Sequence, residues 1–227
     1  MKTDYKKKLY LTNHYSFFEK ILIKKRREIL FRLKKFSINK NIKDVLDVGT
    51  TEDDNNVSSN YLIKNFGNDK IYKSISDQLI TSSFFSKTLK KSITENFTKH
   101  EIECFQSDLV ISNATIEHVG NFNNQIKMIS NIISLSRKYF IIITPNRYHP
   151  LEFHTKIPLI HWLPKKIYMK ILGYFGLKFF AKESNLNLLS ENDLKLVMKK
   201  LNHKKYEINH INLFWIKSNL ILIGNKN

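Results

Sequence analysis

The chain has 227 residues and 42% hydrophobic content, enough to bury the core of one globular domain. Its apolar runs fall far short of the roughly 18 to 20 residues that span a bilayer, which excludes a transmembrane helix. The single cysteine, Cys104, excludes an internal disulfide, and no apolar signal core follows the basic first residues. The sequence therefore predicts a cytoplasmic protein and leaves its oligomeric state open.

The net charge of +18 favours an anionic partner, because a positive field concentrates polyanions. Only 5 of the 38 basic residues are arginine, the side chain whose planar fork binds phosphate with two hydrogen bonds. We therefore interpret the charge partly as compositional bias and partly as an indication of a peripheral position at an anionic membrane surface, the inner face of the membrane.

Residues 17–36, within a basic N-terminal region at 1–43, predict an amphipathic helix. Its apolar face consists of Phe18, Leu22, Ile29, Leu33 and Phe36. Two interpretations stay open, a basic anchor on a membrane and a helix packed against a sheet with a solvated basic face. The second is preferred, because charged runs are usually solvated faces.

The central part of the chain alternates between strand and helix patterns. Strands are predicted at 44–49, 70–75, 108–112 and 138–144, helices at 58–66 and 123–136, and a helix and a short third strand within 78–107. This alternation predicts an α/β fold with a doubly wound, mostly parallel, seven-stranded sheet and helices on both faces.

Residues 145–189 interrupt that alternation and contain all four prolines, which predicts an insertion that acts as a lid. Ser190 is the predicted N-cap of a helix that reaches about residue 201. Strands at 206–214 and 219–223 are predicted to close the sheet as a terminal antiparallel hairpin.

Polar side chains follow three of the predicted strands, at the edge where such sheets bind ligands. The first strand ends in Asp47–Thr50, where a glycine permits a tight turn and an acid can bind an amino group. The second ends in Ser76-Asp77, where a carboxylate can accept the hydroxyls of a ribose. The fourth ends in Ser112-Asn113, and Glu117-His118 follow as two titratable groups or as an ordinary surface pair.

Together these strand ends resemble class I S-adenosylmethionine-dependent methyltransferases. The resemblance rests on the spacing of Leu46–Gly49, Asp108–Asn113 and Ile116–Val119. Blocks at 47–51, 58–62, 144–147, 152–155, 159–164 and 186–190 are similar to a bacterial subgroup of undefined substrate. The resemblance covers residues 44 to about 194 and implies a Rossmann-like methyltransferase domain at 44–227 with the insertion as its lid.

The resemblance implies S-adenosyl-L-methionine as the cofactor. The implied cofactor-binding residues are Asp47, Val48, Gly49 and Thr50 for the amino-acid end, Ser76 and Asp77 for the ribose, Asn96 beside the adenine, and Ser112 and Asn113 beside the methionine. The glycine turn is reduced to Gly49, and the acids usual at positions 76 and 96 are absent. A relative that binds the cofactor without turnover is therefore a second interpretation.

His118 is the predicted catalytic base, because imidazole titrates near neutrality and a protonated acceptor needs a base. The alternative is a hydrogen bond from His118 to the cofactor or to the backbone. Asn146, Arg147, Glu152 and His154 are the predicted acceptor-binding residues, with Arg147 binding an anion and His154 orienting a hydroxyl. Alternatively, the first three attach the insertion to the core through hydrogen bonds.

The histidines and acids of 146–164 match no compact ligand spacing, so no metal is predicted. The basic and apolar segment 157–180 suits either a helix in a membrane interface or a lid packed on the sheet. The predicted acceptor is a small molecule, a glycan or a lipid-linked compound, methylated at oxygen. A nucleic-acid acceptor ranks below these, because Ser112–Thr115 lack the Pro-Pro-Tyr of enzymes that methylate amino groups of nucleic acids. A dehydrogenase is also disfavoured, because the first turn lacks the glycine spacing of dinucleotide-binding enzymes.

Overall fold

The computed structural model describes residues 17–52, 59–213 and 215–226. Residues 1–16 of the predicted N-terminal region, Ser58 and Phe214 lie outside these ranges. The strands are β1 Asp44–Val48, β2 Ile71–Ser76, β3 Lys87–Lys90, β4 Ser107–Asn113, β5 Ser136–Pro145, β6 Tyr206–Leu213 and β7 Ile216–Asn225. The helices are α1 Phe17–Asn39, α2 Tyr61–Lys64, α3 Lys99–Phe105, α4 Phe122–Leu135, α5 Lys165–Tyr174 and α6 Glu191–Lys200.

The described strands form one seven-stranded sheet in the order β3-β2-β1-β4-β5-β7-β6. Neighbours from β3 to β5 are parallel, whereas β7 runs antiparallel to both β5 and β6. The doubly wound sheet and the terminal hairpin predicted from the sequence are confirmed. Because the chain order reverses between β1 and β4, their carboxyl ends open a crevice.

Alternate residues of the central strands enter two different hydrophobic layers. Val110 of β4 and Ile142 of β5 pack in the cluster that includes α4 and α6. Leu109 and Ile141, their neighbours in sequence, pack in the cluster on the other face. Successive side chains of a strand point to opposite faces, so a strand that is apolar throughout can be covered by helices on both sides.

Helix α1 packs on the second of these faces. Ile29 and Leu33 are buried in the same cluster as residues of β1, β4 and β5. Arg27, Lys34 and Lys35 are exposed on its other sides. This is the arrangement of a helix packed against a sheet with a solvated basic face. α1 shares a core with the strands, and the domain boundary at residue 43 stays a prediction.

Residues 78–107 contain the predicted short third strand and helix, with the strand first. The short strand β3 precedes the helix, and residues 77–86, all of which the structure describes, contain no helix. The connection is fixed by side chains instead, since the Glu52 carboxylate accepts a hydrogen bond from Thr81 Oγ1 at 2.5 Å and Tyr72 stacks on Phe84. The Ser82 hydroxyl also accepts from Phe84 N at 3.4 Å, the kind of local bond by which serine and threonine compete with helical hydrogen bonds.

The insertion lies after β5 and has a small core of its own, formed by Tyr168, Leu172, Phe180 and Leu186. Its backbone returns to the sheet where Arg147 N donates to the Leu189 carbonyl at 2.9 Å. Helix α6 then begins with the predicted cap, in which the Ser190 and Asp193 side chains each bind the other residue's backbone N–H. No helix in the described ranges is long and apolar enough to cross a membrane.

The contact between β7 and β5 yields a stability prediction. A Cβ at Gly224 would lie 2.0 Å from the Phe140 ring, so Gly224→Ala is expected to lower the free energy of unfolding by about 1–3 kcal/mol. Gly173 in α5 has no atom within 4 Å of such a Cβ, so Gly173→Ala is the matched control and should stabilise by about 0.5–1 kcal/mol. Urea unfolding measures both, and equal effects would contradict the packing described.

Candidate active site

A cleft of about 500 Å³ opens at the carboxyl ends of β1, β2 and β4, under the insertion. This volume falls in the range of roughly 300–1,000 Å³ typical of small-molecule sites. The structure brings most of the predicted site residues together on its walls: Asp47, Val48, Gly49, Thr50, Ser76, Asp77, Asn113, His118 and His154.

Asp47 is a buried acid whose carboxylate accepts a hydrogen bond from one side chain. Its side chain is buried, and its Oδ2 accepts a hydrogen bond from Thr50 Oγ1 at 2.6 Å. The Ser74 hydroxyl in turn donates to Thr50 Oγ1 at 2.7 Å. Burial raises the pKa of Asp47 to about 6, against the lowering effect of the Thr50 hydrogen bond. A cation in the cleft would restore the charged form, so this position favours a positively charged ligand group.

The turn after β1 requires a glycine for two reasons. Gly49 has φ +92°, a conformation that side chains rarely adopt. A Cβ at this position would also lie 2.2 Å from Thr115 Oγ1, across the crevice between β1 and β4. The next two residues are held by side chains, Thr50 by Ser74 and Ser76 and Thr51 by Asn60.

The two predicted residues at the end of β2, Ser76 and Asp77, make different contacts. Ser76 is buried, and its hydroxyl donates to the Thr50 carbonyl at 2.6 Å and accepts from Gln78 N at 3.1 Å. These bonds hold the β1 turn in place. Asp77 is exposed and lines the cleft together with Gln78, which the sequence analysis missed. Its position directly beyond the strand end was the signal that could have indicated it.

Two residues predicted to contact the cofactor, Asn96 and Ser112, do not line the cleft. Asn96 is exposed and is not part of the cleft wall, where Ser92–Thr94 take the place next to β3. Ser112 is buried, and its hydroxyl donates to the Val48 carbonyl at 3.0 Å, joining β4 to β1. Asn113, the next residue, reaches the cleft. The cleft wall includes Ser92–Thr94 rather than Asn96 because the segment from β3 to α3 is irregular, and periodicity does not show which of its residues face the cleft.

His118 and His154 form one wall of the cleft with their rings edge to face. His118 Nδ1 lies 2.7 Å from the Asn185 carbonyl oxygen, so this nitrogen carries the proton. Its Nε2 lies 3.1 Å from Nε2 of His154. Burial, followed by the charge of His154, lowers the pKa of His118 to about 3. The backbone hydrogen bond matches the alternative to a catalytic base that the sequence left open for His118. A base with so low a pKa is also weak.

Glu152 acts on the cleft through His154. It is 2% exposed and does not reach the cleft, but its Oε1 accepts hydrogen bonds from His154 Nδ1 at 2.7 Å and from His154 N at 2.8 Å. Burial acts to raise the pKa of Glu152, but these bonds and the charge of His154 outweigh it and lower the pKa to about 2. Glu152 is therefore placed to orient His154 and does not itself face the cleft.

Glu117 is fully buried, which excludes the ordinary surface pair with His118. The Thr144 hydroxyl donates to its Oε2 at 3.0 Å. Its Oε1 has no hydrogen-bond partner among the described residues and lies 3.9 Å from His154 Nε2. Burial raises the pKa of Glu117. The arrangement gathers two acid–histidine pairs, Glu117 with His118 and Glu152 with His154, that are distant from each other in sequence.

Asn146 and Arg147, at the start of the insertion, lie outside the cleft wall. Asn146 Nδ2 donates to the Lys217 carbonyl at 2.9 Å, and its Oδ1 accepts from Tyr148 N at 3.2 Å. Arg147 Nη2 donates to the Leu163 carbonyl at 3.4 Å, within the insertion. The Asn146 contacts correspond to the interpretation in which this residue attaches the insertion to the core, whereas the Arg147 side chain bonds only within the insertion.

Other cleft residues gave no sequence signal. Phe153 lines the cleft and stacks on His149, with ring centroids 5.0 Å apart. Lys25 and Arg26 of α1 also reach the cleft, although α1 lies before the resembling segment. Only the packing of α1 on the sheet brings them there, and periodicity does not report which sheet edge a helix approaches.

The burial of Asp47 predicts a pH-dependent change in stability. The folded state holds the Asp47 proton more tightly than the unfolded state, so ionisation between pH 3.8 and about 6 lowers stability. Asp47→Asn is therefore expected to raise the free energy of unfolding at pH 7 by about 1–3 kcal/mol and to have little effect at pH 4. Urea unfolding at both pH values measures this, with the exposed Glu103→Gln as control, and no gain at pH 7 would contradict it.

The sequence matches no protein-family model and none of the curated proteins. Solved structures of similar fold are found at low identity. Magnesium protoporphyrin IX methyltransferase from Synechocystis PCC 6803, with bound SAH, is 10% identical at a TM-score of 0.58, over 99% of this chain and 94% of that one.

Two further structures extend the comparison. An O-methyltransferase family protein from Burkholderia thailandensis is 10% identical at a TM-score of 0.53, over 88% of this chain and 55% of that one. N-methyltransferase NodS from Bradyrhizobium japonicum WM9 is 8% identical at a TM-score of 0.51, over 88% of this chain and 96% of that one. The chain thus has the fold of class I S-adenosylmethionine-dependent methyltransferases, and the resemblance is confirmed at the level of the fold.

Proposed function

We propose that the chain is a methyltransferase that uses S-adenosyl-L-methionine and acts on a small-molecule acceptor. The observation that carries the proposal is Asp47, a buried acid with a raised pKa that faces a cleft at the β1–β4 crevice. In this sheet order the crevice is where ligands bind. Similar structures with bound SAM and SAH support the same choice of cofactor.

The residues present fit this cofactor. Asp47 would bind the amino group, and the turn at Gly49 leaves the backbone open to close approach. Asp77 and Gln78 would hold the ribose, and Ser92–Thr94 would flank the adenine. When bound, the cofactor supplies a methyl group already activated on a sulfonium. The chain's part is then to orient the two reactants and to exclude water, which the insertion does by covering the strand ends.

We further propose that the acceptor atom is oxygen. Proteins of similar fold are named as O-, N- and carbon methyltransferases, so the fold does not select the atom. The cleft wall of His118 and His154 backed by Glu117 favours a polar acceptor group such as a hydroxyl. Phe153 beside them would pack on the apolar part of the same molecule.

Calorimetry with S-adenosylmethionine and S-adenosylhomocysteine tests cofactor binding. Both ligands are expected to bind, and affinity should increase as pH rises through about 6, because ionised Asp47 attracts the ligand ammonium. Asp47→Asn should weaken binding about tenfold to a hundredfold at pH 7, the effect of losing a hydrogen bond to a charged group, and should abolish the pH dependence. Glu103→Gln should bind like the parent. Failure of the parent to bind either ligand would overturn the proposal.

Transfer itself is tested by incubating the protein and cell extract with methyl-labelled cofactor. We expect label in the small-molecule, glycan or lipid fraction, and no label when Asp47→Asn is used at a low cofactor concentration. Label only in nucleic acid would contradict the proposed acceptor class. Cofactor binding with no labelled product from any extract would favour the relative without turnover.

We also propose that the insertion contacts an anionic membrane surface, so that the acceptor is lipid-linked. Trp162, Ile167 and Phe175 expose apolar side chains on the insertion. Lys166 and Lys170 are exposed on α5 among them. Apolar groups between lysines are the pattern of an element lying in a membrane interface, where both kinds of side chain contribute to binding.

Sedimentation with phosphatidylserine vesicles at low salt tests this contact. The parent is expected to pellet with the vesicles, and Trp162→Ser with Phe175→Ser should reduce the bound fraction several-fold. Phe31 is 70% exposed on α1, so Phe31→Ser is the matched control and should pellet like the parent. A parent protein that stays in the supernatant would contradict the membrane contact.

A further inference from the structure

The two histidines of the cleft wall point the same ring nitrogen at each other. Nε2 of His118 and Nε2 of His154 are 3.1 Å apart, and each Nδ1 binds an acceptor on its other side. A hydrogen bond between the two Nε2 atoms needs a proton on one of them, whereas an ion between them needs none. We propose that Glu117, His118 and His154 form a binding site for a divalent transition-metal ion at the wall of the cleft.

The separation of the two nitrogens fits a shared ion. Imidazole nitrogens bind zinc at about 2.0–2.1 Å, and two nitrogens 3.1 Å apart then subtend roughly 100° at the ion. That angle lies between octahedral and tetrahedral geometry. The two residues are 36 positions apart, on the turn after β4 and in the insertion, so no local sequence motif could indicate the pair.

Glu117 supplies an independent observation. Its carboxylate is fully buried, and Oε1 accepts no hydrogen bond from any residue that the structure describes. Buried polar atoms are nearly always paired, so an oxygen without a hydrogen bond, 3.9 Å from His154 Nε2, indicates a missing ligand. One atom from each of Glu117, His118 and His154 lies within 4.8 Å of the others. The carboxylate must turn toward the rings to close this set, and Oε1 loses no hydrogen bond by turning.

The surrounding contacts are those of an outer coordination shell. Glu152 accepts from His154 Nδ1 at 2.7 Å, and the Asn185 carbonyl accepts from His118 Nδ1 at 2.7 Å. Metal-bound histidines almost always donate their second N–H to a carboxylate or carbonyl, which fixes the lone pair on the other nitrogen. Thr144 holds Glu117 Oε2 in the same way.

The chemistry of the donor set limits the ion. Two imidazoles and one carboxylate suit zinc, iron(II), cobalt(II) or nickel(II), whereas calcium and magnesium prefer oxygen ligands throughout. His118 and His154 line the cleft, so the remaining coordination positions would face it. If the proposed methyl transfer is correct, an oxygen of the acceptor would bind there; binding of the ion itself does not depend on that function.

Zinc and cobalt(II) are the probes. After treatment with a chelator, the full chain is expected to bind one equivalent of Zn²⁺ by calorimetry. Cobalt(II) should give visible d–d absorption bands that report nitrogen and oxygen ligands. His154→Ala should weaken binding at least a hundredfold and remove these bands, and Glu117→Gln, which keeps the shape of the side chain, should also weaken it. Glu152→Gln should weaken binding about tenfold to a hundredfold through the outer shell.

His100→Ala is the matched control. His100 Nε2 lies 3.6 Å from Cys104 Sγ on α3, so this pair is the alternative source of an adventitious metal signal. Thermal unfolding of each variant confirms that it is folded. Equal zinc binding by the parent and by folded His154→Ala and Glu117→Gln would overturn the proposal, as would loss of binding in His100→Ala alone. Binding of S-adenosylhomocysteine is measured on the same samples, so failure of the metal site and failure of the proposed function are separate results.

Discussion

Parallel pairing of β1 with β4 is the constraint on which the rest of the site depends. It places Val48 beside Ser112 and brings the two turns so close that Thr115 occupies the space of a side chain at position 49. Parallel strands require covering helices on both faces, and α1 and α4 supply them. Because every turn at this edge emerges at the same level, side chains from distant parts of the chain meet around one cleft.

The buried polar groups of the cleft oppose folding. Asp47 and Glu117 both have raised pKa values because burial disfavours their charged forms. A hydrophobic or amide side chain at either position would avoid that penalty. Strongly perturbed acids cluster at functional sites for this reason, since a ligand provides the charge that the protein omits. At Asp47 and Glu117, burial of the acid lowers the stability of the fold, whereas under the proposals above the same acid strengthens ligand binding.

The fold could be predicted from the sequence because its signals are local. The apolar runs of β4 and β5 and the cap at Ser190 each depend on neighbouring residues only. The gathering of the β1, β2 and β4 ends around one cleft could be expected from the strand pattern, whereas Asn96 lies outside the cleft wall, in an irregular segment without a period. His118 and His154 were each predicted as site residues, but their direct contact could not be, because it depends on the insertion folding back through contacts such as Asn187 N with the Glu117 carbonyl at 2.7 Å. Long-range packing of this kind leaves no trace in spacing.

The contribution of α1 to the cleft has a consequence for how the chain can be divided. Lys25 and Arg26 stand on the cleft wall, and Ile29 and Leu33 on the same helix cover the sheet. A shortened protein that starts at the first strand would expose that apolar face to water and would widen the ligand cleft in the same step. Loss of α1 would therefore change the hydrophobic core and the cleft together.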